Sequence, residues 1–367
     1  MLLFCKKNNV EVSAYSVLTP TFIIEPFLLS VEDFMQFDKP FFSYSQQINL
    51  LQSRGLIIKN YEFAEYALST LSYYDLINRY KRYFMVDAHH FIDDVSIEYL
   101  YNFALFDRDI QFFIMKYSVL VEAIFKTKFS YTLAEHCGVD IKDYLKKYYY
   151  KPTNSANISF ADVKYRITRW INSNAIKNPT RYYKRHHNHI PPWILFKNIS
   201  LGNVINLYDL LHSDLKYKFV SRLIQNSLPM DQQVDLVLRM MNTVRTFRNC
   251  VAHNLNFTEL RTEPLYCPSP KILSTLLGRP LLVSKNKRVP AEDKKALLGV
   301  YGAMLSMIVL LDSAHLKATF AQDFLLLLKK ESIRNQMYED YAKITEMPAD
   351  IKNRFTQFYN ELMYVKT

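Results

Sequence analysis

From Lys39 onward, apolar residues recur at the spacing of helices. Ser43 or Ser45 is placed to cap a first helix running through Leu51, with Gly55 to close it. A second follows through Ala64, Ala67 and Leu71 to Tyr73-Tyr74. Leu100 to Arg108 then leads into a long helix reaching about Ala134. Val237, Met241, Val244 and Val251 recur at three-, four- and seven-residue steps, the stripe of an amphipathic helix. Pro268, Pro270, Pro280 and Pro290 punctuate the chain before two apolar helices, about 292–311 and 315–330, and a polar one near the C-terminus. The pattern divides the chain into residues 1–38, which suggest no role, a core at 39–263 and a helical extension at 264–367. The core opens with a helical hairpin and carries an insert at about 142–189. The extension is expected to pack on the bundle.

Glycine scarcity strengthens the helical reading. Only 6 of 367 residues are glycine, so few positive-φ turns are available for hairpins. Phosphate loops, dinucleotide fingerprints and nucleophile elbows are excluded by the same count. The expected class is all-α. The cysteines, Cys5, Cys137, Cys250 and Cys267, have no metal-binding spacing and fit a reducing compartment. Lys6, Lys7, Glu11 and Glu25 interrupt the N-terminal apolar patches, which makes a poor signal peptide. The uncharged run from Ala296 to Leu311 is shorter than the ~20 residues of a membrane span. A cytoplasmic protein without membrane partners is expected.

The candidate chemistry lies at the end of the amphipathic stripe, in Val244-Arg-Thr-Phe-Arg-Asn-Cys-Val-Ala-His253. At 100° per residue Arg248 falls inside the stripe, between Met241 and Val244. An arginine cannot shed its charge, so there it must be paired or look into a site. Arg248 and His253 stand roughly 140° apart on an unbroken helix. They converge only if the helix ends near Ala252 or if two copies of the motif face each other. A structural alternative is an arginine buried against a core carboxylate, with Glu122 a suitable partner.

Charge is concentrated at residues 142–189, where eleven basic residues face two acidic ones, a net +9 out of the chain's +11. Tyr144, Tyr148, Tyr149, Tyr150, Tyr165, Trp170, Tyr182 and Tyr183 are interleaved with them. Cations for phosphates beside rings for unpaired bases suit single-stranded RNA. Lys146, Lys147, Arg181, Lys184 and Arg185 are the candidate contacts, with Arg245 adding positive potential near the motif. The alternative is a solvated flexible loop. His186, His187 and His189 have no carboxylate or cysteine close by in sequence, so no metal is expected.

The motif resembles the Arg-x4–6-His signature of the HEPN superfamily and the corresponding segment of Abi-family abortive-infection proteins. Three further stretches resemble Abi landmarks in the same order. They are Lys39-Pro40 through Arg54-Gly55 to Tyr73-Tyr74, then Phe106-Asp107-Arg108 with Glu122, and Pro192-Trp193 followed by Ser200, Gly202 and Tyr208. After His253 the chain departs from the family pattern with Asn254-Leu-Asn-Phe. The resemblance implies an all-α HEPN-like helical bundle and a metal-independent endoribonuclease in phage defence. Arg248, Asn249 and His253 would then be catalytic, RNA the substrate and no cofactor needed. A homodimer and an RNA or protein antitoxin are the implied partners. Two rivals are a non-catalytic RNA-binding or antitoxin-binding scaffold and, less supported, a DNA-binding protein using the helices at 43–72.

Overall fold

Side chains that accept the free amides of a first turn start several of the helices. The computed structural model describes residues 39–224, 228–277, 280–282, 289–329 and 332–364. Among these it shows helices, turns and isolated bridges but no sheet, as the glycine count predicts. The chain divides into one unit, Met1–Ser43, and a second, Tyr44–Thr367, which carries everything below. Residues 1–38 and the basic run Lys285 to Arg288 lie outside the described residues.

Helices α1 (Tyr44–Ser53) and α2 (Tyr61–Thr70) form the expected hairpin. Gly55 turns between them at φ 85°, and Asn60 caps α2 by accepting from the Phe63 amide. Helix α2 ends earlier than the sequence suggests. Leu71 is extended, and a single π-helical turn, Tyr74–Asn78, precedes the short α3 (Lys81–Phe84).

Ser96 caps α4 (Ile97–Cys137), the 41-residue axis of the unit. It packs against α2 and, further along the chain, α8 (Pro192–Leu195), α9 (Leu201–Leu210), α10 (Ser213–Leu223) and α11 (Met230–Ala252). Asp107 is fully buried in this axis. It accepts from Tyr80 Oη at 3.0 Å, Gln111 Nε2 at 2.8 Å and Tyr341 Oη at 3.1 Å. Burial pushes its carboxyl up, against these donors and the Arg79 guanidinium.

The basic segment is not the flexible loop of the alternative reading. It folds as α5 (Ile141–Tyr144), a 3₁₀ turn at Lys147–Tyr149, α6 (Phe160–Asn172) and α7 (Thr180–His186). Phe160, Val163, Ile167 and Ile171 recur at helical spacing and bury one face of α6. His186 is the last residue of α7.

The C-terminal extension is helical too, with more breaks than the pattern suggests. After α12 (Pro270–Leu277), the run expected at 292–311 divides into α13 (Ala291–Ala296) and α14 (Val300–Leu310). The turn at Leu297–Gly299 is tied to the chain after the motif helix by a Thr262 amide to Leu298 carbonyl bond of 2.7 Å. Helix α15 (Ala314–Lys329) follows as expected. The single polar helix is two, α16 (Ser332–Thr345) and α17 (Ile351–Tyr364), separated by Glu346 at φ 58° and Pro348. Helices α14, α15 and α16 pack on α4, and α14 packs on α11.

Candidate active site at the end of helix α11

Helix α11 buries Val237, Met241, Val244, Phe247 and Cys250 against the bundle. It stops at Ala252, one of the two sequence conditions for convergence, yet no hydrogen bond or ion pair joins the Arg248 and His253 side chains among the described residues. The ending is a Schellman arrangement with asparagine in the position glycine usually takes. Asn254 adopts φ 51°, its amide reaches Val251 O at 3.2 Å, and the Leu255 amide reaches Cys250 O at 3.0 Å. His253 is therefore the capping residue, donating its amide to Asn249 O at 3.0 Å and leaving its side chain exposed.

Arg248 is not buried in the stripe. Its side chain is 35% exposed, although Phe247 and Cys250 beside it are buried, and Val251 is only half-buried. The guanidinium faces Glu122 on α4, with Nε 3.8 Å from Oε2 and without a hydrogen-bond acceptor among the described residues. Nη1 donates to Asn249 Oδ1 at 3.3 Å. Glu122 has a nearer cation, Lys126 Nζ at 2.7 Å, and that ammonium also donates to Ile199 O at 2.7 Å. One turn earlier on α11, Arg245 lies over α9. A Cβ on Gly202 would stand 3.0 Å from Arg245 Nη1, so the glycine makes room for this arginine.

Cys250, within the motif, is no nucleophile. It is 3% exposed, and burial pushes its thiol up to about 11, so the thiolate is scarce at neutral pH.

Sequence reasoning missed Arg79. Its guanidinium is 2% exposed and pairs with Asp75, while Nη1 lies 4.0 Å from Asp107 Oδ2. Nη2 donates to Asn254 O at 3.1 Å and to Asn254 Oδ1 at 3.2 Å. A buried cation thus holds the residue directly after His253, and the cap is fixed to α4 through Asp107. The available signal was Asp75 and Arg79 at i, i+4 within the apolar run Leu76-Ile77.

The candidate RNA contacts separate into two groups. Lys147, Arg181 and Arg185 are exposed and make no ion pair among the described residues. Lys146 is paired with Asp143 at 2.8 Å, which raises its pKa. Lys184 reaches Ile171 O at 2.8 Å and Asn172 Oδ1 at 3.3 Å, tying α7 to the end of α6. Arg166 and Arg169 project from α6 opposite its buried face. Of the rings, Tyr148, Tyr165 and Tyr182 are exposed, whereas Tyr144 and Tyr150 belong to the core. No hydrogen bond or ion pair joins these cations to Arg248 or His253 among the described residues. His186 and His187 pack against Tyr182 and Tyr183, with ring centroids 4.5 and 4.4 Å apart. Among the described residues no group of three histidines, cysteines or carboxylates is arranged to hold a metal, and no helix is long and apolar enough to cross a membrane.

The family model described as Abi-like protein matches residues 66–258. The chain belongs to the Abi-like protein family. The match runs from α2 to the turn after α11 and takes in Arg79, Asp107, Glu122, Gly202 and the whole motif. Membership connects the protein with abortive-infection systems. Neither the curated proteins nor the solved structures gave a match.

Proposed function

We propose that this Abi-like protein is a metal-independent endoribonuclease with a HEPN-type core, acting in phage defence as a toxin that cleaves RNA. The observation that carries the reading is the end of α11. A partly exposed guanidinium and an exposed imidazole stand at a helix terminus that Arg79 fastens through Asn254 and Asp107. Preorganised donors beside a proton-transfer group are what RNA self-cleavage needs, since the substrate carries its own nucleophile in the 2′-OH.

In this reaction the 2′-oxygen attacks phosphorus and the 5′-oxygen leaves. The products are a 2′,3′-cyclic phosphate and a 5′-hydroxyl, with no net water consumed. His253 as neutral imidazole takes the 2′-OH proton, or as imidazolium gives a proton to the departing 5′-oxygen. Two copies of the motif across a homodimer supply both roles. Arg248 donates to the non-bridging oxygens as their charge builds. Asn249 orients Arg248, and Arg245 adds positive potential. A toxin of this kind requires restraint, by an RNA or protein antitoxin.

The contact with Glu122 favours a second reading, in which Arg248 is a structural cation and the protein a binding scaffold. Two features weigh against it: the 3.8 Å separation, and the nearer Lys126 that already serves Glu122. The deciding experiment is cleavage of single-stranded RNA in EDTA by the purified chain. Cleavage with cyclic-phosphate ends is expected, and His253→Ala should abolish it without lowering the melting temperature. A strict Mg²⁺ requirement, or full activity in His253→Ala, would falsify the mechanism.

A further inference from the structure

Beside Glu122 on α4 lies an open cavity of about 350 Å³. Val119, Phe196 and Trp193 give it apolar walls, and Glu122, Lys126 and Lys197 stand among them. Pro191 and Pro192 are buried and lead directly into α8, so Trp193 is presented by a stiff segment. The residue is nonetheless 45% exposed. Lys197 is exposed and makes no ion pair among the described residues.

The cavity lies between the two parts of the proposed site. On one side Glu122 faces Arg248. On the other the wall includes Pro179, the residue before α7. Helix α7 is fastened there: Thr180 Oγ1 donates to Ile194 O at 3.0 Å and accepts from Asn198 Nδ2 at 2.8 Å. Arg181 and Arg185 follow on that helix. A strand whose phosphates lie along α7 and at Arg248 passes this cavity on its way between them.

We propose that the cavity is a base-binding subsite, in which an unpaired base of the RNA strand stacks on Trp193 next to the nucleotide held at Arg248. The proposal rests on the ribonuclease reading for its substrate. An open apolar pocket with a few polar groups is the usual form of a ring-binding site, and stacking on an exposed indole suits any unpaired base. The exposed cations around it, Lys197 and the α7 arginines, match the phosphates on either side. Trp193 is then a specificity and positioning residue for single strands, because a paired base would first have to unpair and leave its stack.

The test uses the full chain carrying His253→Ala, so that binding is measured without turnover. Anisotropy of a labelled, unstructured oligoribonucleotide gives the affinity, and an abasic oligomer of the same length serves as control. Trp193→Ala is expected to weaken binding of the base-containing strand about tenfold, within the range for removing one stacking ring. Trp193→Tyr should restore it. The salt slope should be unchanged, since no cation is removed, and the abasic oligomer should bind both proteins equally. Undiminished affinity in Trp193→Ala, or equal weakening for the abasic strand, overturns the subsite while leaving the ribonuclease reading intact. The expected binding pattern in a protein whose active form cleaves nothing keeps the subsite and removes the nuclease. Absence of RNA binding in the Trp193-containing protein removes both.

Discussion

Arg79 and Arg248 each reach toward a carboxylate of α4, yet their surroundings predict opposite outcomes on removal. Arg79 is 2% exposed, pairs with Asp75 and binds both oxygens of Asn254. Deleting it leaves Asp107 in the core without its nearest cation and frees the cap of α11. Breaking a buried arrangement of this kind costs roughly 3–5 kcal/mol. Arg248 is 35% exposed, touches Glu122 only at 3.8 Å, and leaves Glu122 with Lys126 when it goes. Arg248→Ala should therefore cost less than about 1 kcal/mol while turnover falls by orders of magnitude. Urea unfolding of the two variants side by side measures the contrast. An Arg248→Ala protein as unstable as Arg79→Ala would mark Arg248 as a structural cation. The sequence drew attention to Arg248, whose charge interrupts an apolar stripe. Arg79 was hidden because Asp75 and Arg79 look like any surface i, i+4 pair, and only the distant Asp107 and Asn254 make them a buried clamp.

Elements were legible in proportion to how regular their burial is. Helix α4 and the α1–α2 hairpin follow directly from apolar spacing, whereas the end of α11 was one of two arrangements that the spacing of Arg248 and His253 left open. The basic segment was harder, because its charge obscured the stripe Phe160, Val163, Ile167 and Ile171 that seats α6. The break at Leu297–Gly299 is held by a tertiary hydrogen bond, and its one local signal was Gly299 within an apolar run. Once α6 and α7 are seen as helices, the lysines and arginines between 142 and 189 cease to be equivalent. Replacing Lys147, Arg181 and Arg185 with glutamine should lower RNA affinity and reduce the salt slope by roughly one unit for each phosphate no longer neutralised, with no change in melting temperature. Lys184→Gln removes the bonds to Ile171 and Asn172 and should instead loosen α7, seen as faster amide exchange at 180–186. An unchanged salt slope in the triple variant would return this surface to ordinary solvated charge.

At the scale of the whole molecule, the family match and the folded unit do not end together. The match stops at residue 258, whereas the unit that contains α11 runs to the end of the chain. The reason lies in α14, in which every residue from Val300 to Leu310 is buried and which packs on both α4 and α11. The helix that carries Arg248 and His253 is thus covered in part by residues the family match does not reach. Ending the chain after Glu263 would bare the apolar surfaces of α4 and α11 that α14 covers, a patch of the kind that drives aggregation. Such a truncated chain is expected to be insoluble or molten rather than a smaller active enzyme. A milder disturbance of the same packing gives the sharper test. A Cβ on Gly302 would collide with the backbone carbonyl of Leu297, and a carbonyl held in the turn after α13 cannot swing aside as a side-chain tip does. Gly302→Ala should cost about 1–3 kcal/mol or more and lower activity only in step with the folded fraction. On the ribonuclease reading, its residual folded protein should cleave with the RNA preference of the unmodified chain. Should a chain ending at Glu263 melt cooperatively and cleave RNA, the C-terminal helices would be an accessory layer, and α11 would hold its terminus without them.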